Sequence, residues 1–168
     1  MRKIICLIAV VVCLLSSSCK KDDGYIQFGV DSFQIIPPEG WRIQKTAGPG
    51  YDTIVSPVKD GAAASIKFLE GFYYEEGFHH YINHIFLGYQ RDSKSVHHLE
   101  KSDFNTHSGY EGERIVLVNS RNGSHQKIAM YYIRLDHKSY LNIQCTAPEH
   151  SYGDYHLDFE NCVKSYKK

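Results

Sequence analysis

The chain has 168 residues, with 19 Lys and Arg against 19 Asp and Glu and a formal net charge of +0. That balance leaves no basic excess with which to hold nucleic acid, and the basic residues are scattered rather than clustered. The length fits one domain, able to bury roughly two-thirds of its unfolded surface.

Arg2 and Lys3 precede an uncharged apolar run, Ile4 to Leu15. As a helix it would span about 18 Å, short of the roughly 30 Å hydrocarbon core of a bilayer. It is apolar on every face, so it does not read as an amphipathic core helix either. A positive start, an apolar middle and small residues at the end are the order of a secretory signal. Ser16, Ser17 and Ser18 then lead into Cys19. Small residues before a cysteine resemble the lipobox of bacterial lipoproteins, with Leu15 one place further from the cysteine than usual. Residues 1–18 are therefore expected as a lipoprotein signal peptide and Cys19 as the lipidated N-terminus. Ordinary cleavage after Ser18 is the alternative, and it would leave Cys19 as an exposed thiol. Lys20, Lys21, Asp22 and Asp23 follow. They read as a solvated tether, or as a sequence resembling the surface-export tag of Bacteroidetes-type lipoproteins. The expected location is the cell envelope, as an outer-membrane lipoprotein facing the periplasm or the surface. Two or more acyl chains on one cysteine suffice for stable anchoring without a spanning helix.

Residues 19–30 are expected as the tether and 31–168 as the domain. Within the domain, Phe33 and Ile35 alternate, Pro37 to Gly40 form a turn, and Trp41 and Ile43 resume the alternation. A short strand follows the Gly48-Pro49-Gly50 loop. Ala64, Ile66 and Phe68 share one face of the next strand. From Glu75 to Arg91 the period changes: Phe78, Tyr81, Ile82, Ile85, Phe86 and Tyr89 recur every three or four residues, which predicts a helix of about four turns. Glu75 and Glu76 suit its N-terminus and Arg91 its C-terminus.

The polar run Val96–His107 predicts an edge strand. Tyr110–Ser120 predicts a central one, and Asn122-Gly123 a hairpin turn. His125–Asp136 and Ser139–Ala147 predict two more strands joined tightly through His137-Lys138. In the latter, Leu141, Ile143 and Cys145 share a face. Asp154 is placed to cap a closing helix with Tyr155, Phe159, Cys162, Val163 and Tyr166 on one stripe. The order of strands, helix, strands and helix indicates an α+β fold, an antiparallel β-sheet flanked by helices. The thirteen tyrosines and eight phenylalanines read as core and sheet residues.

The motifs F-x-I-x-x-P-x-G-W (Phe33–Trp41), A-S-I-K-F (Ala64–Phe68), G-Y-E-G-E-R (Gly109–Arg114), Y-L-N-I-Q-C-T-A (Tyr140–Ala147) and V-K-S-Y (Val163–Tyr166) resemble, in order and spacing, the PsbP-like domain. Plant members of that family are extrinsic subunits of photosystem II, a eukaryotic relative binds the GTPase Ran, and bacterial relatives are often small lipoproteins. The resemblance implies a PsbP-like α/β/α sandwich, no shared catalytic residues, no cofactor, and a non-enzymatic binding or assembly role with an envelope protein as partner.

Ten histidines supply the alternative, a histidine-based metal-binding protein or metal-dependent enzyme of the envelope. His80 and His84 lie four apart on the predicted helix and share a face. Tyr81 stands where a zinc-protease motif would need Glu, so a third ligand would be His79 or a carboxylate from elsewhere. Cys145, His150, His156 and Cys162 form a weaker set, because His156 and Cys162 are about 120° apart around a helix. Cys145 and Cys162 point instead into one core layer. There they form a disulfide worth about 3 kcal/mol or sit as free buried thiols; the disulfide is the reading taken. Neither Ser108-Gly109 nor Gly123-Ser124 has the strand–turn–helix context of a nucleophile elbow, and no glycine cluster precedes Lys and Ser or Thr as in a phosphate-binding loop.

Overall fold

The computed structural model describes residues 24–28, 33–45, 51–59, 61–73, 76–92, 94–121 and 124–168. The signal segment, Cys19, the Gly48–Gly50 loop, Glu75 and the Asn122-Gly123 turn lie outside the described residues. The described residues form nine strands and two helices: β1 (Ile26–Phe28), β2 (Phe33–Ile35), β3 (Arg42–Gln44), β4 (Thr53–Val55), β5 (Ser65–Phe72), α1 (Phe78–Arg91), β6 (Val96–Asn105), β7 (Glu111–Arg121), β8 (Ser124–Arg134), β9 (Ser139–Pro148) and α2 (Tyr152–Lys164), the last entered through a 3₁₀ turn at Glu149–Ser151. Seven strands make one antiparallel sheet in the order β3-β4-β5-β9-β8-β7-β6, and β1 and β2 pair as a separate ribbon.

Side-chain alternation divides the sheet into two faces. Register sets Ile66 opposite Cys145 and Phe68 opposite Ile143, with Tyr131 on the other side of Ile143. These residues, with Ala129, Ile133, Leu141 and Ala147, face α2 and the β1–β2 ribbon in one core. Ile115, Leu117, Met130 and Tyr132 point the other way and pack with Phe78 and Ile82 of α1. The polar strand β6 is at the sheet edge, as its composition predicts. There it carries an irregularity between His97 and Glu100, a device that discourages further pairing.

The β1–β2 ribbon reaches into the segment expected as tether. Ile26 pairs with Ile35 and Phe28 with Phe33. The Phe28 and Phe33 rings stack at 5.4 Å and an interplanar angle of 3°, and Phe28 is only 4% exposed. Apolar residues at Ile26 and Phe28 make this a buried strand rather than a linker. The two strands either side of the Pro37-Pro38 turn go to different sheets, β2 to the ribbon and β3 to the main sheet. The β8–β9 connection is also longer than predicted. It runs from Leu135 to Lys138, and Asp136 Oδ1 accepts the N–H groups of Lys138 and Ser139 at 2.7 and 2.8 Å.

Helix α1 starts at Phe78, three residues later than its periodicity predicts, because Gly77 is at φ 92, a conformation outside a right-handed helix. Helix α2 is preceded by Ser151 rather than Asp154, which lies in its first turn. Past its end, Ser165 Oγ accepts the Ile36 N–H at 2.7 Å and donates to the Cys162 carbonyl at 2.6 Å. Gln34 and Lys167 exchange backbone hydrogen bonds beside it, so the C-terminus is tied to β2.

Each residue of Gly109–Arg114 has a structural task. Gly109 takes φ 84. The Tyr110 ring meets Tyr166 edge-on at 5.1 Å, and Glu111 pairs with Arg134. A Cβ on Gly112 would lie 2.5 Å from both the Phe104 ring and the Tyr132 carbonyl oxygen. Glu113 is buried. Arg114 reaches Glu160 of α2 at 3.0 Å and Ser102 of β6 at 3.2 Å.

Cys145 and Cys162 occupy the α2-side core together, but both are free thiols rather than the expected disulfide. They are 0% and 2% exposed. Burial raises both thiol pKa values, Cys162 to about 12. Each packs as a small apolar side chain.

Candidate functional site

The polar face of α1 gathers the histidines that the sequence marks out. Phe78 and Ile82 anchor the helix to the sheet, which turns His80 and His84 outward. Their Nε2 atoms are 2.9 Å apart, and their ring centroids are 4.7 Å apart. Glu76, one turn before His80, brings Oε2 to 2.8 Å from the same His80 Nε2. The three ligand atoms all lie within 4.8 Å of one another, and all three residues are exposed. Glu76 and His80 also border a shallow cleft of about 260 Å³ together with Tyr73, His79, Arg134 and His137.

His79 takes no part in this cluster. Its Nδ1 is 2.5 Å from Glu113 Oε1. Lys101 Nζ stands 2.8 Å from the other oxygen, Oε2, as an ion pair without the alignment of a hydrogen bond, since that oxygen has no hydrogen-bond partner. The Glu113 side chain is 1% exposed against 66% for His79 and 28% for Lys101. A buried carboxylate is thus held by two cations, or potential cations, that reach in from the surface on α1 and β6.

A second cleft, of about 460 Å³, opens on the α2 side and is bordered by His98, Glu100, Lys127, Glu149, Tyr152 and His156 among others. His98 has φ 49, the one non-glycine residue with positive φ among the described residues, and it sits within the irregularity of β6. Lys127 Nζ lies over the Tyr152 ring at 4.8 Å to its centroid, a cation–π contact.

Of the residues the sequence singles out, His80 and His84 are brought together. The set Cys145, His150, His156 and Cys162 is not, because its histidines are exposed while its cysteines are buried. Glu76 is legible in the sequence only as a favourable charge at a helix start; it precedes Gly77, so the helical period does not place it beside His80. Glu113 is announced by alternation, since it shares the α1 face of β7 with Ile115 and Leu117. Nothing in Val96–Asn105 announces the conformation of His98.

No helix among the described residues is long and apolar enough to cross a membrane. No family profile matches the chain, and no curated protein sequence does. Solved structures do match. The chain is similar to LpqN of Mycobacterium tuberculosis, described as involved in cell envelope biogenesis, at a TM-score of 0.60 and 12% identity, over 85% of this chain and 88% of that one. It is similar to the Ran-binding protein Mog1p of Saccharomyces cerevisiae at a TM-score of 0.53 and 10% identity, over 81% and 89% of the two chains. With cyanobacterial PsbP of Synechocystis the TM-score is 0.52 at 9% identity, over 92% and 98%. Identities this low speak to architecture, and the architecture of this chain is the α+β PsbP-like fold.

Proposed function

We propose that this chain is a lipid-anchored accessory protein of the cell envelope, whose PsbP-like domain binds a partner rather than catalysing a reaction. The observation that carries the reading is the likeness to LpqN, a protein described as involved in cell envelope biogenesis, along nearly the full length of both chains. The export leader and Cys19 favour the same compartment from the other end of the molecule. An acyl-modified Cys19 would hold the domain at a lipid surface, each buried CH₂ contributing about 0.8 kcal/mol, and a protein of the same envelope would be its partner.

Mass spectrometry of the native protein tests the anchor: the N-terminal peptide should begin at Cys19 and carry fatty acid. Cys19→Ala should shift the protein out of the membrane fraction. A retained leader, or a mature terminus without fatty acid, would overturn this part of the reading. For the partner, cross-linking in intact envelopes should trap one defined protein, and hydrogen exchange on the isolated pair should show a contiguous protected surface. Absence of protection anywhere on the domain would refute a binding role.

A further inference from the structure

We propose that Glu76, His80 and His84 form a site for one divalent transition-metal ion of the zinc type. The proposal stands on the geometry of α1 and the turn before it, and does not depend on the envelope reading.

His80 Nε2 hydrogen-bonds to His84 Nε2 at 2.9 Å, and Glu76 Oε2 lies 2.8 Å from the same nitrogen without the alignment of a hydrogen bond. If His80 Nε2 carries the proton, that hydrogen serves the His84 lone pair and leaves the carboxylate oxygen beside it without one. If it does not, its own lone pair faces the carboxylate oxygen at 2.8 Å with nothing between them. Three acceptor-type atoms therefore converge on a space with at most one well-shared proton. A single cation satisfies all three.

The spacing suits such an ion. Zinc binds imidazole nitrogen at about 2.0–2.1 Å and carboxylate oxygen at about 2.0–2.2 Å. Two ligands at such distances are separated by roughly 2.9 Å when they subtend a right angle and roughly 3.3 Å in a tetrahedron. The observed separations, with all three atoms within 4.8 Å, require adjustments ranging from a few tenths of an ångström to about 1.5 Å. Rotation of exposed side chains provides that without moving the helix. Two nitrogen donors and one carboxylate favour zinc, copper or nickel over calcium or magnesium, which take oxygen.

The backbone beneath His80 and His84 is already fixed. Phe78 and Ile82 are buried on either side of His80, and the His79–Glu113 contact pins the first turn of α1 to β7. The spacing of four stacks His80 and His84 along one face of α1, and Glu76, in the turn before Gly77, brings its carboxylate beside them. Three protein ligands leave one tetrahedral position, and the neighbouring cleft with His137 and Arg134 gives a fourth ligand access.

The test uses the full chain in detergent, metal-free, titrated with ZnCl₂ by calorimetry, and with CoCl₂ by visible absorption. Wild type should take up one ion per chain and show cobalt d–d bands of a low-symmetry nitrogen and oxygen site. Glu76→Gln should weaken binding by about tenfold or more, since even residues outside the ligand sphere cost that much. His80→Gln/His84→Gln should abolish the one-ion transition while leaving the far-UV circular dichroism unchanged. His97→Gln/His98→Gln should bind like wild type, which separates this site from general histidine affinity. Failure of wild type to bind zinc, or equal binding by the folded His80→Gln/His84→Gln variant, would overturn the proposal.

Discussion

His79 Nδ1 and Glu113 Oε1 lie 2.5 Å apart, joining an exposed helix residue to a carboxylate in the interior of the sheet. With Lys101 Nζ at 2.8 Å on the other oxygen, the carboxylate exchanges its hydration for two partners. Breaking such an arrangement from one side leaves a buried charge with half its compensation. We expect Lys101→Met to lower stability by about 3 kcal/mol. Replacing the carboxylate as well, in Lys101→Met/Glu113→Leu, should recover most of that loss, because an apolar group of similar size no longer needs a cation. Urea denaturation of the two variants checks this; a double variant no more stable than the single one would refute it.

Two glycines should respond in opposite directions to alanine. A methyl on Gly112 would meet the Tyr132 carbonyl oxygen and the Phe104 ring, each at 2.5 Å, between paired strands of the sheet. Neither the ring nor the backbone can retreat far within a packed interior. We expect Gly112→Ala to destabilise by about 2 kcal/mol or more. Gly88 lies in α1 with no other heavy atom near its absent Cβ. There alanine removes backbone entropy from the unfolded chain, so Gly88→Ala should stabilise by about 0.5–1 kcal/mol. Thermal melts of both variants decide the pair.

The two glycines also mark the limit of what the sequence could reveal. Local periodicity was enough for α1, α2 and the long strands, because Ile66, Phe68, Tyr131, Ile143 and Phe159 each repeat at the spacing of the element that buries them. It was enough to bring His80 and His84 to one face. It did not assign Ile26–Phe28 to a strand, because a three-residue strand has no period of its own and is defined by pairing with β2. It did not place Glu113 in a buried ion pair, because Lys101 and His79 arrive from elements that become neighbours only through the sheet order. The thiols show a third limit. Cys145 and Cys162 fall in the same core layer, but a shared layer leaves both the bonded and the free state open.

Those thiols give the fold a pH dependence whose sign can be worked out. Burial raises Cys162 to about 12 and Cys145 well above its ordinary value, so the folded state keeps protons that the unfolded chain releases near pH 9. Above that point the unfolded state binds fewer protons than the folded one, and stability falls as pH rises. The slope approaches about 1.4 kcal/mol per pH unit for each thiol. The window opens near 9 and extends to about 12 for Cys162. Tyrosines raised by burial, among them Tyr131, Tyr132 and Tyr166, add to the fall above pH 10. Urea midpoints should therefore be nearly level from pH 7 to 8 and drop between pH 9 and 10. Cys162→Ala should be less stable throughout and show a shallower drop. A flat profile from pH 8 to 10 would contradict this account.

The chain's single tryptophan reports on the docking of α2. The Trp41 ring meets Tyr155 and Phe159 edge-on, each at 5.8 Å between centroids. Phe159 is 0% exposed, and its ring also lies 5.6 Å from that of Tyr152. Removing it empties the contact between α2 and the loop leading into β3, so Phe159→Ala should cost about 3–5 kcal/mol. It should also let water reach the indole and shift its emission to the red in the folded state. Leu157 lies on the same helix but is 62% exposed, and Leu157→Ala should change stability by no more than about 0.5 kcal/mol and leave the emission unmoved. The comparison isolates packing from helix propensity, because both substitutions install the same helix-favouring residue. If Phe159→Ala folded with unshifted emission, Trp41 would be held by contacts other than α2.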